Sequence, residues 1–426
     1  MTVSHPPFDS LAARFRPVFA RIAEHSVQRE RERELAHDAV RWLADARFGA
    51  LRVPLASGGL GASVEQLFDL LIELGEADSN LPQILRAHFG FIERLYAEVD
   101  PALHAPWLKL AAEGVIFGNA TTELGEAALG TLQTRLYREG DAWFLDGDKY
   151  YSTGTLYADW IWVGALRGDE PVALAVRADA PGVTRLDDWG GFGQRLTGSG
   201  TTIFDDVTVD PAQVLPWSDN AERRPLAYTQ ALYQLVLLAA ETGIARAVLR
   251  DAVDFVRPRT RTFGVAGVSL PREDPLVQGV VGRLSSIASA VEAVTLSAVR
   301  ALEAADARAS DDDYQEALAT VFEAQQVVLP LVLEAATALF EVGGASAVDA
   351  DRALDRHWRN ARTIASHNPA IHRERALGDR RLNGTPFRTG PQAAAAAPAT
   401  PAAPAGPAAP PAPAPAAAHP DLVRTP

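Results

Sequence analysis

The feature that most constrains this chain is a change in the period of its apolar residues, from helical to strand-like and back. In residues 1–115, Leu11, Phe15, Val18, Phe19 and Ile22 recur at spacings of three and four, which places them on one helix face. A turn at Val53–Ala62 follows, and Leu67, Leu70, Leu71 and Leu74 form a second such face. From about Val115 the period shortens. Thr134–Tyr137 and Trp143–Leu145 are β-like runs joined by Glu139-Gly140-Asp141, a turn signal. Trp160–Leu166, Val172–Val176 and Thr201–Val209 continue the pattern, without βαβ alternation. After Pro225 the helical period returns. Leu232, Val236, Ala240, Ile244, Ala247 and Val248 form one stripe running towards Phe255, and Val277, Val281, Leu284, Ile287, Val291 and Val294 form another. A third spans Asp312–Val342 and contains Pro330, where a kink is expected. Long stripes of this kind pack as an antiparallel bundle. The expected class is therefore α+β, with a helical domain at 1–115, a β domain at 116–220 and a helical bundle at 221–390. Residues 391–426 form an Ala/Pro-rich tail that cannot build a core and is expected to be disordered.

Composition narrows the function. The net charge is 40 − 54 = −14 over 426 residues, which argues against nucleic acid or an anionic membrane surface as partner. No uninterrupted apolar run of about 18 residues is seen, so no transmembrane helix is expected. The N-terminus lacks an apolar signal region, which makes the cytoplasm the expected location. Cysteine is absent, which removes disulfides, thiolate nucleophiles and cysteine-held metal; no metal is expected. Glycine clusters at 58–61, 190–193 and 198–200 do not spell G-x-G-x-x-G between a strand and a helix. They read as turns, and the chain shows no site for NAD(P)H.

Several segments are informative together. They are Phe117–Gly125 (FGNATTELG), Lys149–Gly154 (KYYSTG), Asp187–Asp206 (DDWGGFGQRLTGSGTTIFDD), Phe255–Gln278 and Phe340–Ala345. In this order and spacing the chain resembles the acyl-CoA dehydrogenase superfamily over about residues 10–388. The resemblance implies an N-terminal helical domain, a middle β domain and a C-terminal four-helix bundle, assembled as a homotetramer. A flavin would lie between the last two. Thr153 would bring its hydroxyl or N–H to the flavin N5, beside Ser152. Asn119 and Thr121 would line the ring edge, with Trp189 close by. Arg259 and Arg261 would reach a flavin phosphate, of this subunit or a neighbour; the other reading of that arginine run is a solvated helix end. Gly343 and Gly344, in the turn at Phe340–Ala345, would help to bind the flavin.

A dehydrogenase of this family takes an α-proton with a glutamate. Neither family position for that base carries one here. The segment His357–Pro369 (HWRNARTIASHNP) has no Glu or Asp, and the alternative site reads QALYQLV at Gln230–Val236, with Tyr233 or Gln234 in place. Glu241, two turns on, reads as a polar helix residue. The segment Arg359–Pro369, together with Asp188-Trp189, Gly193–Gly200 and His88-Phe89-Gly90, resembles instead the flavin-dependent monooxygenase branch of the superfamily. That branch includes dibenzothiophene monooxygenases, sulfur-acquisition oxidoreductases and indole oxygenases. It implies FMN, ahead of FAD, reduced by a separate NAD(P)H:flavin reductase, and oxygen transfer through a C4a-(hydro)peroxyflavin. The substrate would be small and apolar, organosulfur or aromatic. His367 would hydrogen-bond the peroxide from a loop, with Asn119 and Thr153 assisting and His88 across the pocket. Phe91, Ile92, Tyr151 and Tyr233 would line the pocket. Dibenzothiophene monooxygenases carry a histidine where this chain has Ile364 and a tyrosine where it has Ile92, so a less polar pocket is expected. The alternatives are an acyl-CoA dehydrogenase with a displaced base and a non-catalytic oligomeric scaffold.

Overall fold

The computed structural model describes residues 5–97, 101–124, 132–215, 224–261 and 270–388. The tail at 391–426, Gly125 and most of the stretch between Arg261 and Leu270 lie outside them. The first part is helical: α1 (Phe8–Glu32), α2 (His37–Asp45), α3 (Val64–Ala77), α4 (Asn80–Ala97) and α5 (Pro101–Ala112). Ser63 starts α3 with a capping box, its hydroxyl accepting from Gln66 N–H while the Gln66 side chain accepts from Ser63 N–H.

Eight strands follow among the described residues: β1 (Phe117–Ala120), β2 (Arg135–Glu139), β3 (Ala142–Lys149), β4 (Trp160–Arg167), β5 (Glu170–Arg177), β6 (Val183–Arg185), β7 (Thr202–Val209) and β8 (Val214–Leu215). Their order is β6-β7-β3-β2-β4-β5-β8, and β1 pairs with β4. The sheet is antiparallel except that β1 and β2 run parallel to β4, end to end along one edge of it. Alternation explains the two cores around the sheet. Trp162, Ala173 and Ala175 face Phe91 and Trp107 of the N-terminal helices. Ile161, Val163, Ala165, Val172, Leu174 and Val176 face Leu136, Leu145, Phe204 and Val207, inside the sheet's own curve.

The last part holds α6 (Leu226–Val256), α7 (Pro275–Arg308), α8 (Asp311–Ala338), α9 (Asp355–His367) and α10 (Ala370–Asn383). Helix α8 runs through Pro330 without a break. Three helices are, against the sequence expectation, long and apolar enough to cross a membrane by length and composition: α6, α7 and Asp311–Val342. Scattered polar residues had hidden this from a search for an uninterrupted run. The apolar stretch of α6 is 83% buried inside the protein, against α3, α7 and α8, so the core uses it.

Two devices fix α4 and α6. Helices α3 and α6 touch backbone to backbone, and a Cβ on Gly243 would stand 2.4 Å from the carbonyl carbon of Gly75. Glu93 of α4 accepts from Arg52 at 2.5 Å, from Arg224 and from the Tyr228 hydroxyl at 2.9 Å. Arg224 also grips Asp306 of α7 at 2.6 and 2.8 Å. Burial alone would raise the Glu93 pKa, but the Arg52 and Arg224 guanidiniums hold it down at about 2.

Gly243→Ala should cost about 1–3 kcal/mol, since neither backbone can retreat cheaply. Gly378→Ala, in exposed α10 with nothing near its Cβ, should instead gain about 0.5–1 kcal/mol. Chemical denaturation of the two variants tests the contrast, and equal effects would count against the packing account.

Candidate functional site

The site begins where β3 ends. Lys149 is buried and pairs with Glu123, which also accepts from Thr134 N–H at 3.1 Å and Oγ1 at 2.8 Å. The chain then turns sharply through Tyr150–Gly154. Tyr151 takes a positive φ of 55°. Gly154 has φ 84°, and a Cβ there would lie 2.5 Å from the Ile84 carbonyl oxygen of α4. Only glycine meets both demands.

Hydroxyls behind this loop form a chain. Thr153 Oγ1 lies 2.8 Å from Ser199 Oγ, which lies 2.7 Å from Thr197 Oγ1. Thr197 donates to the Gln194 carbonyl at 2.9 Å. A hydroxyl has one proton, so Ser199 donates to Thr197 and Thr153 donates to Ser199. The Thr153 N–H already donates to Tyr151 O at 2.8 Å. Thr153 is thus left with lone pairs to offer. Gln194 anchors the chain. Its N–H donates to Asn360 Oδ1 of α9 at 2.6 Å, and Asn360 Nδ2 donates to Ser79 Oγ at 3.2 Å. Trp189 Nε1 donates to the Gln194 carbonyl at 3.0 Å, and its ring stands 6.1 Å from that of Tyr151.

The opposite wall comes from α4, α6 and α9. His367 is the last residue of α9, not a loop residue as expected, because the helical stripe of Asn360, Ala361, Ile364 and Ala365 packs inward and carries the helix to it. Its Nε2 accepts from Arg86 Nη2 at 2.8 Å. The Arg86 guanidinium pushes the His367 pKa down to about 3, with burial adding less because the ring keeps solvent access. His367 is therefore a neutral imidazole with its proton on Nδ1. Arg86 also lies 5.0 Å from the centre of the Tyr233 ring. Next to His367, Asn368 Nδ2 donates to Gln234 Oε1 at 3.0 Å and the Asn368 carbonyl accepts from Gln325 at 2.8 Å.

Tyr151, Ser152 and Thr153 share one turn, with Trp189 beside Tyr151; Asn119 lies on β1, and His367 and Tyr233 flank Arg86 on the helices. Thr121 follows β1 and is half-buried, next to Thr122, whose carbonyl accepts from Tyr150 N–H at 2.9 Å. Other residues go elsewhere. His88 is fully buried; its Nε2 donates to Gly49 O at 2.9 Å and its Nδ1 accepts from Phe117 N–H at 3.2 Å. Both nitrogens are taken, and the ring does not face a pocket. Phe91 and Ile92 are buried against Trp107 and Phe117 and line core, not cleft. All three turn away because they sit on the face of α4 that packs on β1.

Arg259 lies over the Phe255 ring at 4.6 Å and donates to Val342 O at 3.4 Å, and a Cβ on Gly343 would meet that same ring. Gly344 has φ 53° and open space around it, and Arg261 is exposed. Arg259 and Gly343 thus gather at the Phe255 end of α6, about 35 Å along the helix from Tyr233 at 1.5 Å per residue.

Asn119 Oδ1 and Ser152 Oγ are among the buried side-chain atoms that no described residue hydrogen-bonds. They border the turn that offers the Thr153 lone pairs, and a planar heterocycle with edge N–H and carbonyl groups would satisfy them. An FMN ring fits that donor and acceptor set. Glu241 is fully buried with neither oxygen partnered, and burial raises its pKa well above the usual carboxylate range. Its side chain has no exposed surface, so a substrate proton does not reach it. No group of three or more His, Asp or Glu among the described residues could hold a metal. Arg86, Ser199 and Asn360 were not singled out from sequence. A usable signal existed for Arg86, a lone cation in the apolar helix run Leu81–Ile92 (LPQILRAHFGFI).

Residues 235–370 match the family described as acyl-CoA dehydrogenase, C-terminal domain. The chain is 29% identical over 399 residues to a probable FMNH2-dependent monooxygenase, SfnC, of Pseudomonas putida, covering 89% of this chain and 96% of that one. It is 28% identical over 356 residues to dibenzothiophene monooxygenase of Rhodococcus erythropolis, covering 79% and 84%. Among solved structures, TdsC of Paenibacillus sp. A11-2 with FMN and indole superposes with a TM-score of 0.79 at 25% identity, covering 88% and 98%. The fold is acyl-CoA dehydrogenase-like, and the likeness lies with its flavin-monooxygenase branch.

His88 predicts an acid sensitivity. Burial lowers its pKa to about 4, while an unfolded histidine protonates near 6.5. Between those values the unfolded chain binds the extra proton, so stability is full above about pH 6.5 and falls as pH drops towards 4. The contribution is about 3 kcal/mol. Denaturant titrations at pH 7 and pH 4.5 should show a smaller acid loss in His88→Gln than in the wild type; the same loss in both would remove His88 as the cause.

Proposed function

We propose that this protein is a two-component flavin-dependent monooxygenase that uses reduced FMN and O2 to oxygenate a small molecule. One observation carries the reading. The cleft offers unpartnered polar atoms suited to a flavin edge, yet among the described residues it has no carboxylate able to take a substrate proton. The monooxygenase names of the relatives support it, as does the FMN in TdsC.

When bound, reduced FMN supplies the electrons that activate O2. The residues of the chain do the rest. Asn119 and Ser152 satisfy the ring edge, and Thr153 faces it with lone pairs, which suits the N–H of a reduced ring better than the bare nitrogen of an oxidised one. Tyr151 and Trp189 cover the site and limit water, which matters because water lets activated oxygen escape as peroxide. His367 stays neutral at all physiological pH values. It can hydrogen-bond an oxygen atom without adding a second positive charge beside Arg86.

A separate flavin reductase would supply the FMN, since no dinucleotide fingerprint is seen. We place the enzyme in the cytoplasm with that reductase and read it as a homotetramer. The apolar stretch of α7 is only 28% buried in one chain, and we assign Arg259, Arg261 and Gly343, at the far end of α6 from Tyr233, to a flavin other than the one at Thr153. In a tetramer they would serve a neighbour's. We also keep the division into 1–115, 116–220 and 221–390 as the domain scheme.

His367→Ala should lower product formed per reduced FMN by about 100-fold, the scale of one positioned acid–base group, with hydrogen peroxide release rising to match. FMN affinity and tetramer mass by sedimentation should not change. Loss of the assembly would make His367 structural, and unchanged coupling would end its assigned role. Absence of FMN binding by the wild type would end the FMN-monooxygenase reading.

A further inference from the structure

The helical wall of the cleft contains a cation without a countercharge. Arg86 is half-buried on α4, between the imidazole of His367 and the ring of Tyr233. Among the described residues it forms no ion pair, and Tyr233 is the one ionisable group that acts on its charge appreciably. Several deeply set arginines behave differently, although Arg373, over the Phe322 ring at 4.6 Å, likewise shows no ion pair among the described residues. Arg52 and Arg224 share Glu93, Arg29 meets Asp78, Arg356 meets Asp251, and Arg359 meets Glu30.

A guanidinium has five N–H donors, and His367 takes one. None of the others is a sealed orphan, so on this half-buried residue they stay accessible to a ligand. Tyr233 lies within reach of two cations, Arg86 and Arg94. The potential here is positive although the whole chain carries a charge of −14. Partial desolvation of a cation without a partner is costly, and an incoming anion reverses that cost. The planar fork suits an oxyanion with two oxygens, because it can bind both at once.

We propose that Arg86 anchors the anionic head of the substrate, so that this enzyme takes a small organic oxyanion with a carboxylate, sulfinate or sulfonate group and not the neutral aromatic implied by the resemblance. The assignment rests on the flavin-monooxygenase reading for the chemistry, but not for the binding. Tyr233 and His367 hold the guanidinium in place. Arg86 is here a specificity-determining residue.

The test uses the full-length protein, with and without FMN, and isothermal titration with methanesulfinate and with the matched pair indole-3-carboxylate and indole. Wild type should bind indole-3-carboxylate at least about tenfold tighter than indole, about 1.4 kcal/mol, and the gap should narrow at high salt. Arg86→Met keeps the apolar stem over Tyr233 and should abolish that preference, weakening methanesulfinate as well. Arg86→Lys should retain part of it. FMN affinity and melting temperature should be the same in all three proteins. Equal binding of the pair by wild type, or an Arg86→Met variant that keeps the preference, would overturn the proposal. So would a loss of FMN affinity in Arg86→Met, because the arginine would then belong to the cofactor phosphate. Failure of wild type to bind FMN at all would sink the flavin reading and leave the anion result standing. Binding of one anion and not the other decides between sulfinate and carboxylate sources.

Discussion

Three parts of the chain meet at Asn360, and the cleft depends on that meeting. Its Oδ1 holds the Gln194 N–H of the β domain and its Nδ2 reaches Ser79 at the start of α4. Asn80 next door accepts from Leu196 N–H at 3.4 Å. Arg359 adds Glu30 of α1 and the Phe192 carbonyl. Each hydrogen bond contributes about 0.5–1.5 kcal/mol net, which is small beside the buried apolar core. Their effect is positional. Gln194 stands at φ 50°, and its carbonyl sets the direction of every proton from Thr197 to Thr153. The hydrogen-bonding face shown to a flavin is thus decided by a joint between domains.

Charge is used in two ways within a few turns of α4. Glu93 is surrounded by Arg52, Arg224 and Tyr228, and Arg224 carries the link to Asp306 and α7. That cluster is closed, and removing one member would leave a buried charge without compensation. Two turns earlier Arg86 sits with a neutral histidine and an aromatic ring. It is open, and its field keeps His367 unprotonated. Glu241 shows the opposite solution, a buried carboxyl whose pKa is pushed up because burial outweighs the opposing charge of Arg362. A dehydrogenase would need a carboxylate in the cleft, and this chain offers an arginine there.

Much of the outline was legible because period survives in sequence. The stripes of α1, α3, α6 and α7 announce buried faces, and the alternation of β4 and β5 announces a sheet with two covered sides. The strands that escaped are short ones. β1 was read as a motif, and β6 and β8 have three and two residues, too few to show a period. The helix to which His367 belongs was read as a loop, since His357–Pro369 is mostly polar and its apolar face is narrow. His88 was misplaced for a related reason. Its neighbours Phe89 and Gly90 suggest a pocket edge, but which face of α4 meets β1 depends on Phe117 and Gly49, far away in sequence.

The sequence alone determined the order of helical, sheet and helical regions and the absence of cysteine chemistry. The family resemblance, not the period, is what pointed to Asn119, Ser152 and Thr153 as flavin residues. Tertiary structure decided which of the singled-out side chains share a cleft. It moved His88, Phe91 and Ile92 into the core, seated Arg259 on the Phe255 ring, and brought Arg86 to His367 across 281 positions of chain. Such contacts depend on how whole helix faces pack. A residue's own neighbours in sequence carry no record of which distant charge will, or will not, stand opposite it.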